Sequence, residues 1–140
     1  MPPESGDRMK VVVYYAVWAT ICAAVAGTVV ALLHTWFFSD HVGRSGLLHT
    51  LVEDLEVSLA IAAGQGAVAL ATGSVLARAG RPLGTTVLLG LLLGLFDFVF
   101  NVLQMVVPAT ELGWVPDLII LAVATAVITL YGGRRIATTT

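Results

Sequence analysis

The run VVVYYAVWATICAAVAGTVVALLHTWFF, from Val11 to Phe38, contains no Asp, Glu, Lys or Arg. About 20 predominantly apolar residues suffice for a helix to cross the hydrocarbon core of a bilayer, and this run exceeds that length. It is also too long for the short apolar region of a cleavable signal peptide, so it reads as a retained span. Three further stretches have the same character: 47–77, whose uncharged part begins at Val57, then 83–107 and 114–131. Pro82 and Pro108 punctuate the third, and Pro116 lies in the first turn of the fourth. None alternates apolar and polar residues as a barrel strand must. The expected fold is all-α, a polytopic membrane protein built as an up-down bundle of four transmembrane helices. A single membrane domain covers 11–135, between tails at 1–10, read as disordered, and 136–140.

Composition agrees. Charged residues make up 11% of the 140-residue chain, hydrophobic residues 58%, and mean hydropathy is +0.94. A water-soluble domain carries about 25% charged residues, so the lipid bilayer is this chain's solvent. A net charge of −2, with no basic stripe and no zinc-type Cys/His spacing, excludes a nucleic-acid binder. Cys22 is the one cysteine, which excludes an internal disulfide. Gly64 and Gly66 in AIAAGQGAVALATGS lack the strand–turn–helix setting of a nucleotide loop. No metal site and no cofactor is expected.

The basic residues are unevenly placed. Arg8 and Lys10 precede the first span, Arg78 and Arg81 lie between the second and third, and Arg134 and Arg135 follow the fourth; Arg44 alone falls on the other side. The positive-inside bias then puts both termini in the cytoplasm of a cell (plasma) membrane protein, with loops 38–47 and 108–113 outside.

Polar residues inside the spans mark the candidate site. At about 1.5 Å rise per residue, Asp97 lies roughly 22 Å from Pro82 and Asp117 roughly 21 Å from Tyr131. Both therefore fall at a similar depth in the outer part of the bilayer. Asn101 and Gln104 continue the Asp97 face outward, and Gly90 and Gly94 continue it inward. Small residues on one face let a neighbouring helix approach closely, so this stripe is expected to face the bundle interior. On the second span His49, Glu53 and Glu56 share a face, while Asp54, Ser58 and Gln65 lie beside it. His34 reaches a similar level from the first span.

A carboxyl in mid-span is costly unless neutral, paired or hydrated. Asp97, Asp117 and Glu56 are accordingly the candidate acid–base groups. Asn101, Gln104, His34, His49, Glu53, Asp54 and Gln65 are the candidate binding groups. Each also has a plain structural role. Glu53, Asp54 and Glu56 suit a solvated extension of the second helix, and His34 and His49 suit interfacial anchors. Asp117 suits a helix N-terminus, and Asp97 suits an interhelical hydrogen bond. Tyr14, Tyr15, Trp18, Trp36 and Trp114 read as aromatic belts.

At an offset of 63, Gly27–Phe37 lies over Gly90–Phe100, matching His34 to Asp97 and Asp54 to Asp117. A duplication of this kind would build the site around a pseudo-two-fold axis. Three functions fit these patterns. The first is a small proton- or cation-coupled transporter or channel that binds a small molecule, proton or cation and acts as a homodimer. The second is a membrane-embedded acid–base enzyme, an isomerase or cyclase, for a lipophilic substrate. The third is an accessory subunit of a larger membrane complex.

The orientation is directly measurable. A cysteine introduced into loop 38–47 of a Cys22→Ala chain should react with a membrane-impermeant maleimide in intact cells. Labelling only after permeabilisation would invert the topology.

Overall fold

The computed structural model describes residues 5–37, 44–78, 82–107, 109 and 113–135. Residues 1–4 and 136–140 and most of the two connections expected outside lie beyond the described residues. Helix α1 spans Ser5–Phe37 and α2 spans Arg44–Thr72, tightening into a 3₁₀ turn over Gly73–Arg78. Helix α3 spans Pro82–Val106. Helix α4 spans Trp114–Val127 and continues through a π-helical turn over Ile128–Gly132. Four helices, Arg8–Phe37, Leu48–Arg78, Pro82–Val106 and Trp114–Arg135, are long and apolar enough to cross a membrane. Large apolar side chains such as Val17, Ile21, Leu91, Leu95, Ile119 and Val123 point outward. That exterior suits lipid, and the chain is an all-α, multi-pass membrane protein.

Helix α1 starts at Ser5, so residues 5–10, expected as a disordered tail, extend the helix. Past Gly6 nothing in GDRMK interrupts a helix. Pro82 opens α3 at the position where its missing N–H is harmless. Gly113, with φ 100°, precedes α4 in a backbone conformation that a side chain would strain. Along the helices, Thr20, Thr35, Thr72, Thr86, Thr125 and Thr129 each donate a hydroxyl hydrogen bond to the carbonyl four residues back. Within a bilayer this removes an otherwise unsatisfied donor at no cost in tertiary contacts.

The helices run alternately up and down, with α1 parallel to α3 and α2 parallel to α4. Arg8, Lys10, Arg78, Arg134 and Arg135 are all exposed at one end of the bundle, the basic end. Helix α1 packs along both α2 and α3, and α4 packs on α2, whereas α3 and α4 touch little. The bundle is therefore a ring in the order α3, α1, α2, α4, with a seam between its first and last members. Near the basic end that ring is filled by Tyr15, Ala19, Ala69, Leu76, Leu89 and Leu93, all fully buried. Tyr15, expected in an interfacial belt, is instead a core residue whose hydroxyl meets Thr129 Oγ1 at 2.5 Å.

The stripe on α3 serves two neighbours rather than one. Gly90 and Gly94 face α1. A Cβ on Gly90 would collide with the Trp18 ring, and one on Gly94 would lie 3.2 Å from Cys22 Cβ and 3.3 Å from its carbonyl oxygen. Trp18, also expected in a belt, is half-buried there and donates from Nε1 to the Val87 carbonyl at 3.1 Å. The polar part of the stripe turns towards α2 and α4. Gly90→Val should therefore expel Trp18 and lower stability by about 1–3 kcal/mol, read as an earlier thermal transition in detergent with altered tryptophan emission. An unchanged transition would contradict the close α1–α3 approach.

Candidate functional site

Asp97 is 2% exposed and Gln65 fully buried, in the middle of the ring. Gln65 Nε2 donates to Asp97 Oδ1 at 2.9 Å and lies 3.3 Å from Thr125 Oγ1 and 3.4 Å from the Leu121 carbonyl oxygen. Helices α2, α3 and α4 thus meet on one amide group. Thr125 passes its own hydroxyl hydrogen to the Leu121 carbonyl at 2.7 Å, so towards Gln65 it acts as an acceptor. Among the described residues, Gln65 Oε1 is buried with no hydrogen-bond partner.

One turn further from the basic end, a cavity of about 460 Å³ opens between the four helices. Ile61 and Asn101 form its floor, each one turn above Gln65 and Asp97 respectively. Asn101 Nδ2 folds back onto the Asp97 carbonyl at 2.7 Å. On the α1–α2 side, His34 Nδ1 lies 2.6 Å from Asp54 Oδ2, both groups about one-third exposed. On the α3–α4 side, Gln104 Nε2 donates to Asp117 Oδ1 at 2.7 Å. Asp117 thus serves an interhelical bond across the seam as well as its place in the first turn of α4. The cavity wall carries two carboxyls, Asp54 and Asp117, and among the described residues lining it there is no Lys or Arg. Two carboxyls against one histidine, with no Lys or Arg, favour a positively charged occupant.

The sequence candidates divide cleanly. Asp97 and Gln65 meet, His34 meets Asp54, Gln104 meets Asp117, and Asn101 lies between the levels. Glu56 is exposed and does not line the cavity, so it is no partner for Asp97. His49 and Glu53 pair with each other along α2, Nε2 to Oε1 at 3.0 Å, with side chains 75% and 63% exposed. Helical spacing put His49, Glu53 and Glu56 on one face, and that face points away from the bundle axis.

Two residues of the buried cluster escaped the sequence reading, Thr125 and Thr129. Their spacing of four, continuing the face of Leu121, is the signal that could have marked them. The proposed two-fold construction is not reproduced in the packing. Asp97 and Asp117 find amides rather than pairing as His34 and Asp54 do, and α3 barely touches α4 where α1 hugs α2. Among the described residues, no group of three or more His, Cys, Asp or Glu side chains converges as a metal centre does.

Comparison with protein-family models, curated protein sequences and solved structures gives no match for this chain.

Removing one side of a buried polar pair should cost more than neutralising it. Gln65→Leu, which strips the donor from Asp97, should destabilise the detergent-solubilised protein by about 1–3 kcal/mol. Asp97→Asn keeps an oxygen facing Gln65 and should stay within about 1 kcal/mol of wild type. Unfolding by increasing denaturing detergent measures both. Equal stability of Gln65→Leu and wild type would remove the pair from any account of the fold.

Proposed function

We propose that the protein is a small proton- or cation-coupled transporter of the plasma membrane. Both termini are cytoplasmic and the cavity faces the extracytoplasmic side. The observation that carries this reading is the vertical order of the carboxyls. Asp54 and Asp117 line an open cavity without Lys or Arg among its described residues, and Asp97 lies buried one turn beneath its floor. The upper pair attracts a cation and strips part of its water. The lower carboxyl offers a position where a cation or a proton neutralises a charge that lipid and packed side chains penalise. Exchange of the two at one carboxyl is the elementary requirement for coupling their movements. The apolar plug of Tyr15, Leu76, Leu89 and Leu93 closes the opposite end. The arrangement is accordingly read as an outward-facing state, with a homodimer the expected assembly.

The membrane-embedded enzyme is the second reading, favoured by the His34–Asp54 contact in the cavity wall. A histidine oriented by a carboxylate is a competent general base, and a one-sided cavity suits a substrate that enters and leaves by the same mouth.

Reconstituted vesicles with a proton-sensitive dye inside separate these readings, with methylammonium and Na⁺ as probe cations under an imposed pH gradient. Wild type should move protons against at least one probe. Asp97→Asn should abolish that exchange while keeping its thermal stability, and Asn101→Ala should slow it only a few-fold. Exchange by Asp97→Asn at the wild-type rate would refute the coupled-transport reading. Silence of the wild type towards both probes would turn the search to lipophilic substrates or to a partner complex.

A further inference from the structure

We infer that the point where Gln65, Asp97, Thr125 and Leu121 converge is a binding site for a small dehydrated monovalent cation of Na⁺ type. This inference deepens the transport reading by naming the coupling ion, and it rests on that reading only for its purpose, not for its geometry.

Three oxygens of different chemistry surround one position: the Asp97 carboxylate, the Thr125 hydroxyl and the Leu121 carbonyl, at 2.9, 3.3 and 3.4 Å from Gln65 Nε2. The partially positive amide group sits where three negative ends meet. It does there, weakly, what a cation does strongly. The same side chain holds an oxygen, Oε1, that is buried and without a hydrogen-bond partner among the described residues. Buried amide oxygens are nearly always satisfied, so Oε1 calls for a hydrogen-bond donor or a cation. Withdrawal of the amide nitrogen frees the convergence point, and rotation turns Oε1 towards it as a fourth oxygen. Four oxygens around one point repel one another unless a cation lies between them.

The ligand set also fixes the class of ion. Carboxylate, hydroxyl, carbonyl and amide oxygens are hard donors, which suit alkali and alkaline-earth ions rather than transition metals. One carboxylate neutralises one positive charge. A divalent ion would leave a net charge in an interior that cannot solvate it. Carboxylate, hydroxyl and carbonyl oxygens are Na⁺ ligands of the right chemistry, and the acidic cavity directly above supplies the route of entry.

Thr125 makes the inference specific. In the present arrangement its hydroxyl hydrogen goes to the Leu121 carbonyl, so both oxygens are engaged with each other. Lone pairs of both oxygens nevertheless face Gln65 Nε2, and a cation takes them in place of the amide without breaking that bond. The site therefore switches between a form filled by the Gln65 amide nitrogen and an ion-bound form, with that amide as the moving part.

The test uses the full chain in detergent and compares NaCl, KCl and choline chloride at equal ionic strength, read by thermal unfolding and by retention of ²²Na⁺. NaCl should raise the melting temperature progressively and saturably. Choline should not, and KCl should need at least tenfold higher concentration. Thr125→Val, which removes one oxygen at constant shape, should lose the Na⁺ response, and Thr125→Ser should retain it. Superimposable transitions in all three salts with no ²²Na⁺ retention by wild type would overturn the site; Oε1 would then be served by water. Proton-coupled methylammonium exchange in vesicles alongside that result would leave the transport reading standing without this site. Saturable Na⁺ binding by a chain that moves no probe would do the reverse.

Discussion

The hydrocarbon interior offers no hydrogen-bond partner, and the rest of this structure follows from that constraint. Every backbone amide must close on its own helix, so the chain resolves into four helices and short connections. Every polar side chain must then find a carbonyl on its own helix or a partner on another. The threonines take the first course. Asp97, Gln65, Gln104, Asp117, His34 and Asp54 take the second, and their pairings tie α2 to α3 and α4, α3 to α4, and α1 to α2. Interhelical hydrogen bonds in membranes are individually modest, about 0.6 kcal/mol on average. They matter here because apolar packing alone does not distinguish a neighbouring helix from lipid.

That consideration explains why polar contacts concentrate where packing is weakest. Helices α1 and α2 approach over most of their length, as do α1 and α3, whose glycines admit Trp18 and Cys22. Helix α4 has α2 as its one extensive neighbour, and its seam with α3 is closed by the Gln104–Asp117 bond and by the cluster around Gln65. The cavity lies beside that seam. A helix held by a few hydrogen bonds is one whose position an occupant of the cavity can influence, since each bond involves a group that a cation would compete for. The π-helical turn at Ile128–Gly132, next to Gly133, supplies a local departure from regular helix in the same element.

Hydropathy and the basic residues made the four spans legible to within a few residues, apart from the extra turns at the start of α1. The interior position of Asp97 was legible too, because a carboxyl among Leu, Phe and Val has few tolerable alternatives. Its partner was not. Helical periodicity assigns residues to faces of one helix but says nothing about which helices are neighbours, so Glu56, Gln65 and Asp117 were equally compatible with it. The exposed set His49, Glu53 and Glu56 illustrates the same limit. A shared face is not an inward face when the helix runs beyond the hydrocarbon. Thr125 and Thr129 were invisible for another reason: a threonine that bonds to its own helix blends into an apolar sequence. Tyr15 was misplaced because an amphipathic ring near a span's end fits an interface and a core equally well, and only the position of Thr129 on α4 decides between them.

The direction of the buried hydrogen bonds constrains how anything could pass beyond Asp97. The polar groups continue towards the basic end, from Gln65 to Thr125, Thr129 and Tyr15, and at first sight they resemble a proton path. The donors contradict it. Thr125 gives its hydrogen to the Leu121 carbonyl and Thr129 gives its hydrogen to the Thr125 carbonyl. The bond between Tyr15 and Thr129 therefore has Tyr15 as its donor. A relay requires each hydroxyl to accept from one neighbour and donate to the next, and here each donation ends on a backbone carbonyl that cannot hand a proton on. The deepest pair, Tyr15 and Thr129, is a structural pin between α1 and α4. Under the transport proposal, release of a cation or proton from Asp97 towards the basic end needs a helix to move, separating Leu76, Leu89 and Leu93, rather than a proton to hop along a fixed chain. An alternating-access mechanism meets that requirement, and a static channel through this conformation does not.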